Sequence, residues 1–260
     1  MGRVELIGSG EGARPVTAAA AAAAAQAAEL EAAYGALPSH DLIRLAAERL
    51  FAGRIAVVSS FGAESAVLLD LIAEVDPGLP VLFVDTDKLF GETLRYRDRL
   101  VRHLGLTDVR TLSPDPTEVA AADPMGVLWH ADADACCHVR KVVPLARAVA
   151  GFDAWFSGRK RFQAATRATI PTFEADGPRI KINPLASWTP ERLAERVALR
   201  DLPAHPLVAQ GYPSIGCMPC TDRVAESEDA RAGRWRGQEK IECGIHLGLS
   251  ALDELDGSGI

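Results

Sequence analysis

Two short apolar runs, separated by a helical pattern, constrain the fold of this chain more than any other feature. The runs cover residues 54–60 and 80–86, the helical pattern covers residues 63–75, and Pro77 and Gly78 turn the chain before the second run. Apolar strands that alternate with helices are typical of a parallel sheet with both faces covered and with right-handed connections. The sequence therefore predicts an α/β fold with helices on both faces of a parallel sheet.

The remaining elements divide the chain into three predicted parts. We expect further strands over residues 109–112, 154–157 and 179–182, and further helices over residues 17–33, 39–53, 90–103, 135–150 and 190–199. The first of these helices is rich in alanine and has few large side chains to dock it. We predict a flexible N-terminal segment (residues 1–38), an α/β domain (residues 39–225) and a mobile C-terminal tail (residues 226–260).

The first predicted strand leads into a loop that could hold an anion. Its residues are Ser59, Ser60, Phe61, Gly62, Ala63, Glu64 and Ser65. Backbone amides and the helix dipole both favour an anion at such a turn, and Gly62 would let a ligand approach the backbone. The loop lacks the Gly-Lys-Ser/Thr ending of a Walker-type loop and the three glycines of a dinucleotide fingerprint. A serine-rich turn that only caps the helix is the alternative.

Polar residues also follow the second predicted strand, at the edge where open α/β sheets bind ligands. Asp85 and Thr86 come directly after this strand, and Leu89 and Phe90 follow them. Side chains at this edge could bind a ribose or a base.

The charge balance limits the classes of partner. A formal net charge of −7 argues against broad electrostatic binding of nucleic acid, so an anionic ligand must be bound by local cations. Candidate clusters contain Arg140, Lys141, Arg159, Lys160, Arg161, Arg167, Arg231, Arg234 and Arg236. Solvated surface charges are the alternative.

Targeting signals and membrane spans are absent from the sequence pattern. No apolar run approaches the roughly 18 residues of a transmembrane helix, and no secretory signal is visible at the N-terminus. We therefore expect a cytoplasmic protein that does not interact with a membrane.

Five cysteines in a reducing compartment are better explained as metal ligands or catalytic thiols than as a disulfide framework. Cys136 and Cys137 are adjacent, and Cys217 and Cys220 form a CxxC pair. Two such pairs could bind zinc or an iron–sulfur cluster, although an adjacent pair fits zinc poorly. The alternative is two buried small residues and a separate redox pair.

Cys243 stands apart from the two pairs, among basic residues of the predicted tail. Neighbouring cations lower the pKa of a thiol and raise its thiolate fraction, which favours a nucleophile. An ordinary surface cysteine is the alternative, and His246, three residues later, could position the thiol.

Together these segments resemble the adenylyl-sulfate reductase branch of the family that also contains phosphoadenylyl-sulfate reductases. The resemblance covers roughly residues 54–248. It is carried by the motifs at residues 59–65, 85–93, 136–145, 182–189, 211–221, 231–235 and 242–246.

This resemblance implies a nucleotide-binding fold of the PP-loop type and the reduction of adenylyl sulfate to sulfite and AMP. It also implies one 4Fe-4S cluster on the two cysteine pairs and an S-sulfocysteine on Cys243. Thioredoxin or glutaredoxin would then release sulfite, because four of the five cysteines would bind the cluster. Lys141 would link the cluster to the substrate, and Arg161, Arg167, Arg231 and Arg234 would bind its anionic groups.

Other interpretations remain open from the sequence. Phosphoadenylyl sulfate, or both nucleotides, could be the substrate, although relatives specific for it generally lack the cysteine pairs. An ATP-using sulfurtransferase and a non-catalytic metal-binding regulator are two further classes. Phe162 and Ala165 depart from the family's Arg-Arg-Asp-Gln-Ser run, and a homo-oligomer is compatible with the sequence.

Overall fold

The computed structural model describes residues 17–246, and its centre is a six-stranded sheet. The strands are β1 (Ile55–Val58), β2 (Val81–Val84), β3 (Val109–Leu112), β4 (Ala154–Phe156), β5 (Phe173–Asp176) and β6 (Arg179–Ile182). Their spatial order is β3-β2-β1-β4-β6-β5, and every neighbouring pair is parallel except β5 with β6. The predicted α/β fold is confirmed.

Helices cover both faces of this sheet. They are α1 (Ala18–Tyr34), α2 (Ser39–Leu45), α3 (Ser65–Val75), α4 (Gly91–Leu104), α5 (Pro116–Ala122), α6 (Leu128–Ala131), α7 (Ala133–Cys137), α8 (Val143–Val149) and α9 (Pro190–Leu199). A five-residue π-helical turn continues α2 over Ala46–Leu50, and another joins α7 to α8 over His138–Val142.

The alternation of side chains along β1 shows how the two cores form. Ile55 and Val57 point into the larger core, which includes side chains of α2, α3, α4 and α9. Ala56 points to the other face, where α8 contributes Leu145 and Val149. Because successive side chains of a strand face opposite sides of the sheet, a continuous apolar strand such as β1 must be covered by other elements on both faces.

The alanine-rich helix α1 packs against the antiparallel edge of the sheet. Ala23 and Ala27 are buried in the larger core, and the Glu31 side chain accepts a hydrogen bond of 2.7 Å from the backbone N–H of Phe173. Small side chains allow this close approach. The division into three parts stays a prediction.

The order of the strands creates a natural ligand site. The chain runs from β1 outward to β2 and β3, and then returns to place β4 on the other side of β1. Ligands of open α/β sheets bind at such a reversal, beyond the carboxyl ends of the strands. No helix within residues 17–246 is long and apolar enough to cross a membrane.

Candidate active site

The loop between β1 and α3 forms one wall of a cavity of about 540 Å³ at the carboxyl ends of β1 and β4. Phe61 adopts a positive φ of 47° and its ring is buried edge-to-face against Phe83, with ring centroids 5.3 Å apart. The Phe61 N–H donates to Ser59 Oγ over 3.2 Å. Anchored in this way, the loop lines the cavity with Ser59, Ser60, Gly62, Ala63, Glu64 and Ser65.

Basic side chains from four separate segments converge on the same cavity. They are Lys141, Arg159, Lys160, Arg167, Arg231 and Arg234. Burial lowers the pKa of Arg159 to about 10, and the nearby charge of Arg167 adds to this effect. A buried group of like charges is costly unless anions balance it, so the cavity is suited to an anionic ligand.

Carboxylates of the protein balance part of the positive charge in the cavity, and their hydrogen bonds join separate segments of the chain. Lys160, which is fully buried, donates a hydrogen bond of 2.8 Å to Glu64 in the loop after β1. Arg167 donates to both carboxylate oxygens of Glu242, one of them over 3.1 Å from Nε. Burial alone would raise the pKa of Glu242, but the hydrogen bond and charge of Arg167 lower it below its usual value.

The bond between Arg167 and Glu242 fixes the residue that follows it, Cys243. The Cys243 thiol is half-buried and lines the cavity. A hydrogen bond from the Cys137 thiol lowers the pKa of Cys243 well below its usual value, and the cations Lys141 and Arg234 lower it further. The same hydrogen bond raises the pKa of Cys137. Its position at the cavity, beside the cations Lys141 and Arg234, makes Cys243 the candidate nucleophile.

Lys141 lies between the thiols and the cavity. Burial opposes its charge, but negative charge on the neighbouring sulfurs of Cys217, Cys243 and Cys137 raises its pKa above the usual value. The side chain therefore stays protonated and can stabilise a thiolate or a ligand anion.

The other four cysteines surround a second, small pocket. Cys136, Cys137, Cys217 and Cys220 line it together with the side chains of Thr86, Lys88, Trp129, Arg140, Lys141 and Pro219. Burial raises the pKa of Cys220 to about 11, with a further contribution from Cys217. Within residues 17–246, no three Cys, His, Asp or Glu side chains are grouped so as to hold a single metal ion.

Contacts with the segment after β2 hold the CxxC loop in place. The Met218 N–H donates to the Lys88 carbonyl over 2.7 Å, and Thr86 Oγ1 lies 3.2 Å from Cys217 Sγ. Arg140, also buried, bridges the Thr86 carbonyl and the Asp123 carboxylate. Thus β2 positions one cysteine pair against the other.

Several residues predicted to bind substrate lie away from the cavity. Phe61 is in the core, Phe90 packs against Tyr212, and Arg161 donates to the Ile170 carbonyl. Thr86 lines the cysteine pocket, whereas Asp85 lines neither pocket. The His246 backbone lies in the final described turn, and its side chain is outside the described part of the chain. The roles that the sequence predicts for all these residues stay predictions.

The cavity also includes residues that we did not single out from the sequence. Ser157 and Gly158 follow β4, and Gln163 bridges Glu64 and Arg167. Trp235 lies in the wall beside Arg234. The position of β4 next to β1 could have indicated Ser157 and Gly158, because a ligand site at a strand-order reversal is lined by residues that follow both strands.

Comparison with known proteins identifies the family of this chain. The family model described as the phosphoadenosine phosphosulfate reductase domain matches residues 54–223. This chain belongs to that family. A relative named adenosine 5'-phosphosulfate reductase from Mesorhizobium japonicum is 57% identical over 222 residues, which cover 85% of this chain and 87% of the relative. A relative of the same name from Mycobacterium tuberculosis is 44% identical, over 73% of this chain and 75% of its own length.

A solved structure from the same reductase family supports the fold. The phosphoadenylyl-sulfate reductase of Candida auris, solved as a phosphate complex, is 25% identical, with a TM-score of 0.64. The match covers 76% of this chain and 96% of that chain. The resemblance stated from the sequence motifs is therefore confirmed at the level of family and fold.

Proposed function

We propose that this protein reduces adenylyl sulfate to sulfite and AMP. The observation that carries the proposal is the position of Cys243, a thiol of lowered pKa that lines the same cation-rich cavity as the loop after β1. The names of the relatives from Mesorhizobium and Mycobacterium support adenylyl sulfate as the substrate.

The reaction proceeds in two transfers at sulfur. The Cys243 thiolate attacks the sulfonyl sulfur, a new S–S bond forms, and the S–O bond to the phosphate breaks so that AMP leaves with the electron pair. A thiolate of the reductant then attacks Cys243 Sγ and displaces sulfite. A second thiol of the reductant resolves the mixed disulfide, so the two electrons come from the reductant dithiol.

An external dithiol is needed because the remaining cysteines have another role. We propose that Cys136, Cys137, Cys217 and Cys220 hold one 4Fe-4S cluster, since all four thiols line one pocket beside the cations Lys88, Arg140 and Lys141. When bound, the cluster would place negative charge next to Lys141. Once Cys137 binds iron it has no proton to donate, so Lys141 and Arg234 would keep the pKa of Cys243 low.

Thioredoxin or glutaredoxin supplies the dithiol that this chemistry requires, and the cytoplasm is a compartment that keeps both reduced. Arg231 and Arg234 orient the phosphosulfate group, since guanidinium groups bind oxyanions through two parallel hydrogen bonds. The ammonium group of Lys141 adds a further positive charge at the same site.

Turnover with both nucleotides tests the proposal. The purified, anaerobically handled protein is incubated with thioredoxin, its reductase and either adenylyl sulfate or phosphoadenylyl sulfate, and sulfite and nucleotide products are quantified. We expect stoichiometric sulfite and AMP from adenylyl sulfate, and no turnover by Cys243→Ser. Turnover of phosphoadenylyl sulfate alone, or full activity of Cys243→Ser, would refute it.

A further inference from the structure

The Gln163 side chain joins two parts of the cavity wall that lie far apart in the sequence. Its amide nitrogen donates a hydrogen bond of 2.5 Å to Glu64 in the loop after β1, and its amide oxygen accepts one of 2.5 Å from Arg167 Nη1. The same guanidinium donates to both carboxylate oxygens of Glu242, the residue before Cys243. An unbroken series of hydrogen bonds therefore runs from the loop after β1 to the segment that carries the thiol.

The partners of Gln163 determine which way its amide group must point. The guanidinium of Arg167 can only donate, and the carboxylate of Glu64, which is paired with Lys160, can only accept. The Lys160 N–H also donates to the Gln163 amide oxygen, over 3.1 Å, so both lone pairs of that oxygen are used. A glutamate here would set a second carboxylate against Glu64, and an apolar side chain would lose every one of these bonds.

Local structure holds Gln163 in this bridging position. It is the last residue of a short 3₁₀ turn, Arg161–Gln163, and its N–H donates to the Lys160 carbonyl over 3.3 Å. Lys160 Nζ donates over 2.8 Å to the same Glu64 oxygen that Gln163 contacts. Glu64, Gln163 and Arg167 all line the cavity. The turn is thus a fixed point of the domain between the loop after β1 and the thiol segment.

The far end of the series is buried, so its geometry is tightly constrained. Arg167 is 7% exposed and Glu242 is 8% exposed. Buried charged groups are costly unless hydrogen bonds satisfy them. Gln163 bonds Arg167 at Nη1, and Glu242 bonds it at Nε and Nη2. A guanidinium that is bonded on two sides has little freedom to rotate, so Gln163 helps to set the position of Glu242 and of Cys243 after it.

We propose that Gln163 is a positioning residue that holds the Cys243 segment at a fixed place relative to the loop after β1, acting through Arg167 and Glu242. The reaction that it serves rests on the proposed function, whereas the hydrogen bonds do not. In that reaction the loop binds the nucleotide and Cys243 attacks the sulfonyl sulfur of the same molecule, so a fixed arrangement of the two favours transfer. Loss of Gln163 should slow the transfer step more than it weakens nucleotide binding.

Single-turnover kinetics tests this role. Gln163→Met removes the amide at similar side-chain length. Gln210→Met is the matched control, because Gln210 also ends a three-residue 3₁₀ turn, Val208–Gln210, but is exposed and lines neither pocket. We expect Gln163→Met to slow sulfonate transfer from bound adenylyl sulfate to Cys243 about tenfold, and to change the dissociation constant of AMP by no more than about twofold. Gln210→Met should match the parent in both.

A double-mutant cycle shows whether Gln163 acts through Glu242. The transfer rate is measured for Gln163→Met, Glu242→Gln, the double variant and the parent. If the series acts as one unit, Gln163→Met should slow transfer much less in the Glu242→Gln protein than in the parent. Additive effects of the two substitutions, or an unchanged transfer rate in Gln163→Met, would overturn the inference while the proposed function stands.

Hydrogen exchange measures the same connection without substrate. We expect the peptide that contains Glu242 and Cys243 to exchange faster in Gln163→Met than in the parent, and at the parent rate in Gln210→Met. Unchanged exchange in Gln163→Met would overturn the inference. Failure of the parent to transfer sulfonate from adenylyl sulfate would instead refute the proposed function, and faster exchange in Gln163→Met would still support the link between Gln163 and the thiol segment.

Discussion

At the scale of single residues, the position of the nucleophile depends on its neighbour Glu242. The carboxylate is 8% exposed and accepts two hydrogen bonds from Arg167, and Arg231 Nη2 lies 3.6 Å from it. Because Arg167 and Arg231 both line the cavity, this one carboxylate joins the tail segment to the proposed anion site. Charge-assisted bonds of this kind are roughly twice as strong as neutral ones.

Glu242→Gln is therefore expected to lower kcat/KM by about 10- to 100-fold, which corresponds to the loss of bonds to a charged group. The measurement is steady-state sulfite production with adenylyl sulfate. The exposed Glu239→Gln substitution has the same chemistry and should have no effect. Unchanged kinetics of Glu242→Gln would show that this ion pair does not position Cys243.

A second residue-scale prediction concerns His205, which is 1% exposed. Its Nδ1 accepts from the Leu207 N–H and its Nε2 lies 3.2 Å from Thr93 Oγ1, so the buried ring is neutral. Burial lowers the pKa of His205 from 6.5 to about 4, and Glu92 only partly opposes this. Between these values the unfolded chain binds the proton and the folded chain does not.

The stability that His205 provides is thus fully present above pH 6.5 and is lost as the pH falls towards 4. The loss amounts to at most about 1.4 kcal/mol per pH unit. Chemical unfolding of the parent and of His205→Gln at several pH values measures it. We expect the difference in free energy of unfolding between them to shrink from pH 7 to pH 4.5. A difference that is independent of pH would contradict this assignment.

At the scale of elements, the tight turn before Arg234 and Trp235 requires a glycine. A Cβ at Gly233 would lie 2.2 Å from the Asp222 carbonyl oxygen, and the Gly233 carbonyl accepts a hydrogen bond from the Asp222 N–H. The backbone can approach this closely only without a side chain, and the approach holds the Arg234 segment against the CxxC loop.

Gly233→Ala should consequently lower the free energy of unfolding by about 1–3 kcal/mol and weaken AMP binding, because Arg234 and Trp235 would shift. Gly151→Ala is the matched control, since nothing lies within 4 Å of its added Cβ. Thermal unfolding and AMP titration of both variants provide the comparison. Equal behaviour of the two variants would contradict the role of this turn.

Elements with a strong apolar pattern were predictable from the sequence, and elements held by long-range contacts were not. The runs at β1 and β2 alternate with α3 in a way that only a parallel sheet explains. Strand β5 has no such pattern: it carries Glu174, which pairs with Lys181 of the neighbouring strand β6 and with Arg159 from the segment after β4. The short helices α5 and α7 each begin at an aspartate cap, Asp115 or Asp132, which we did not recognise.

The same distinction applies to the site. The loop after β1 and the cysteine spacing are local signals in the sequence, and the structure places both the loop and Cys243 in the cavity wall. In contrast, the pairing of Glu242 with Arg167 arises from contacts between the tail and the main domain. No local pattern in the sequence encodes those contacts.

At the scale of the whole molecule, the strand order places the cysteine pocket next to the cation-rich cavity. Lys141 lines both pockets, so charge in one acts on the other. We expect the anaerobically purified protein to be brown, with about four irons and four sulfides per chain, as for one 4Fe-4S cluster. Cys217→Ser should lose most of this iron, whereas Cys243→Ser should retain it. Zinc in place of iron would refute the cluster.

A single-turnover experiment shows directly whether Cys243 attacks the sulfonyl sulfur. The protein is mixed with excess adenylyl sulfate without reductant, digested, and analysed by mass spectrometry. We expect one added sulfonate on the peptide that contains Cys243, release of one AMP per chain, and loss of the adduct as sulfite when thioredoxin is added. A sulfonate on another cysteine, or AMP release without any adduct, would contradict attack by Cys243.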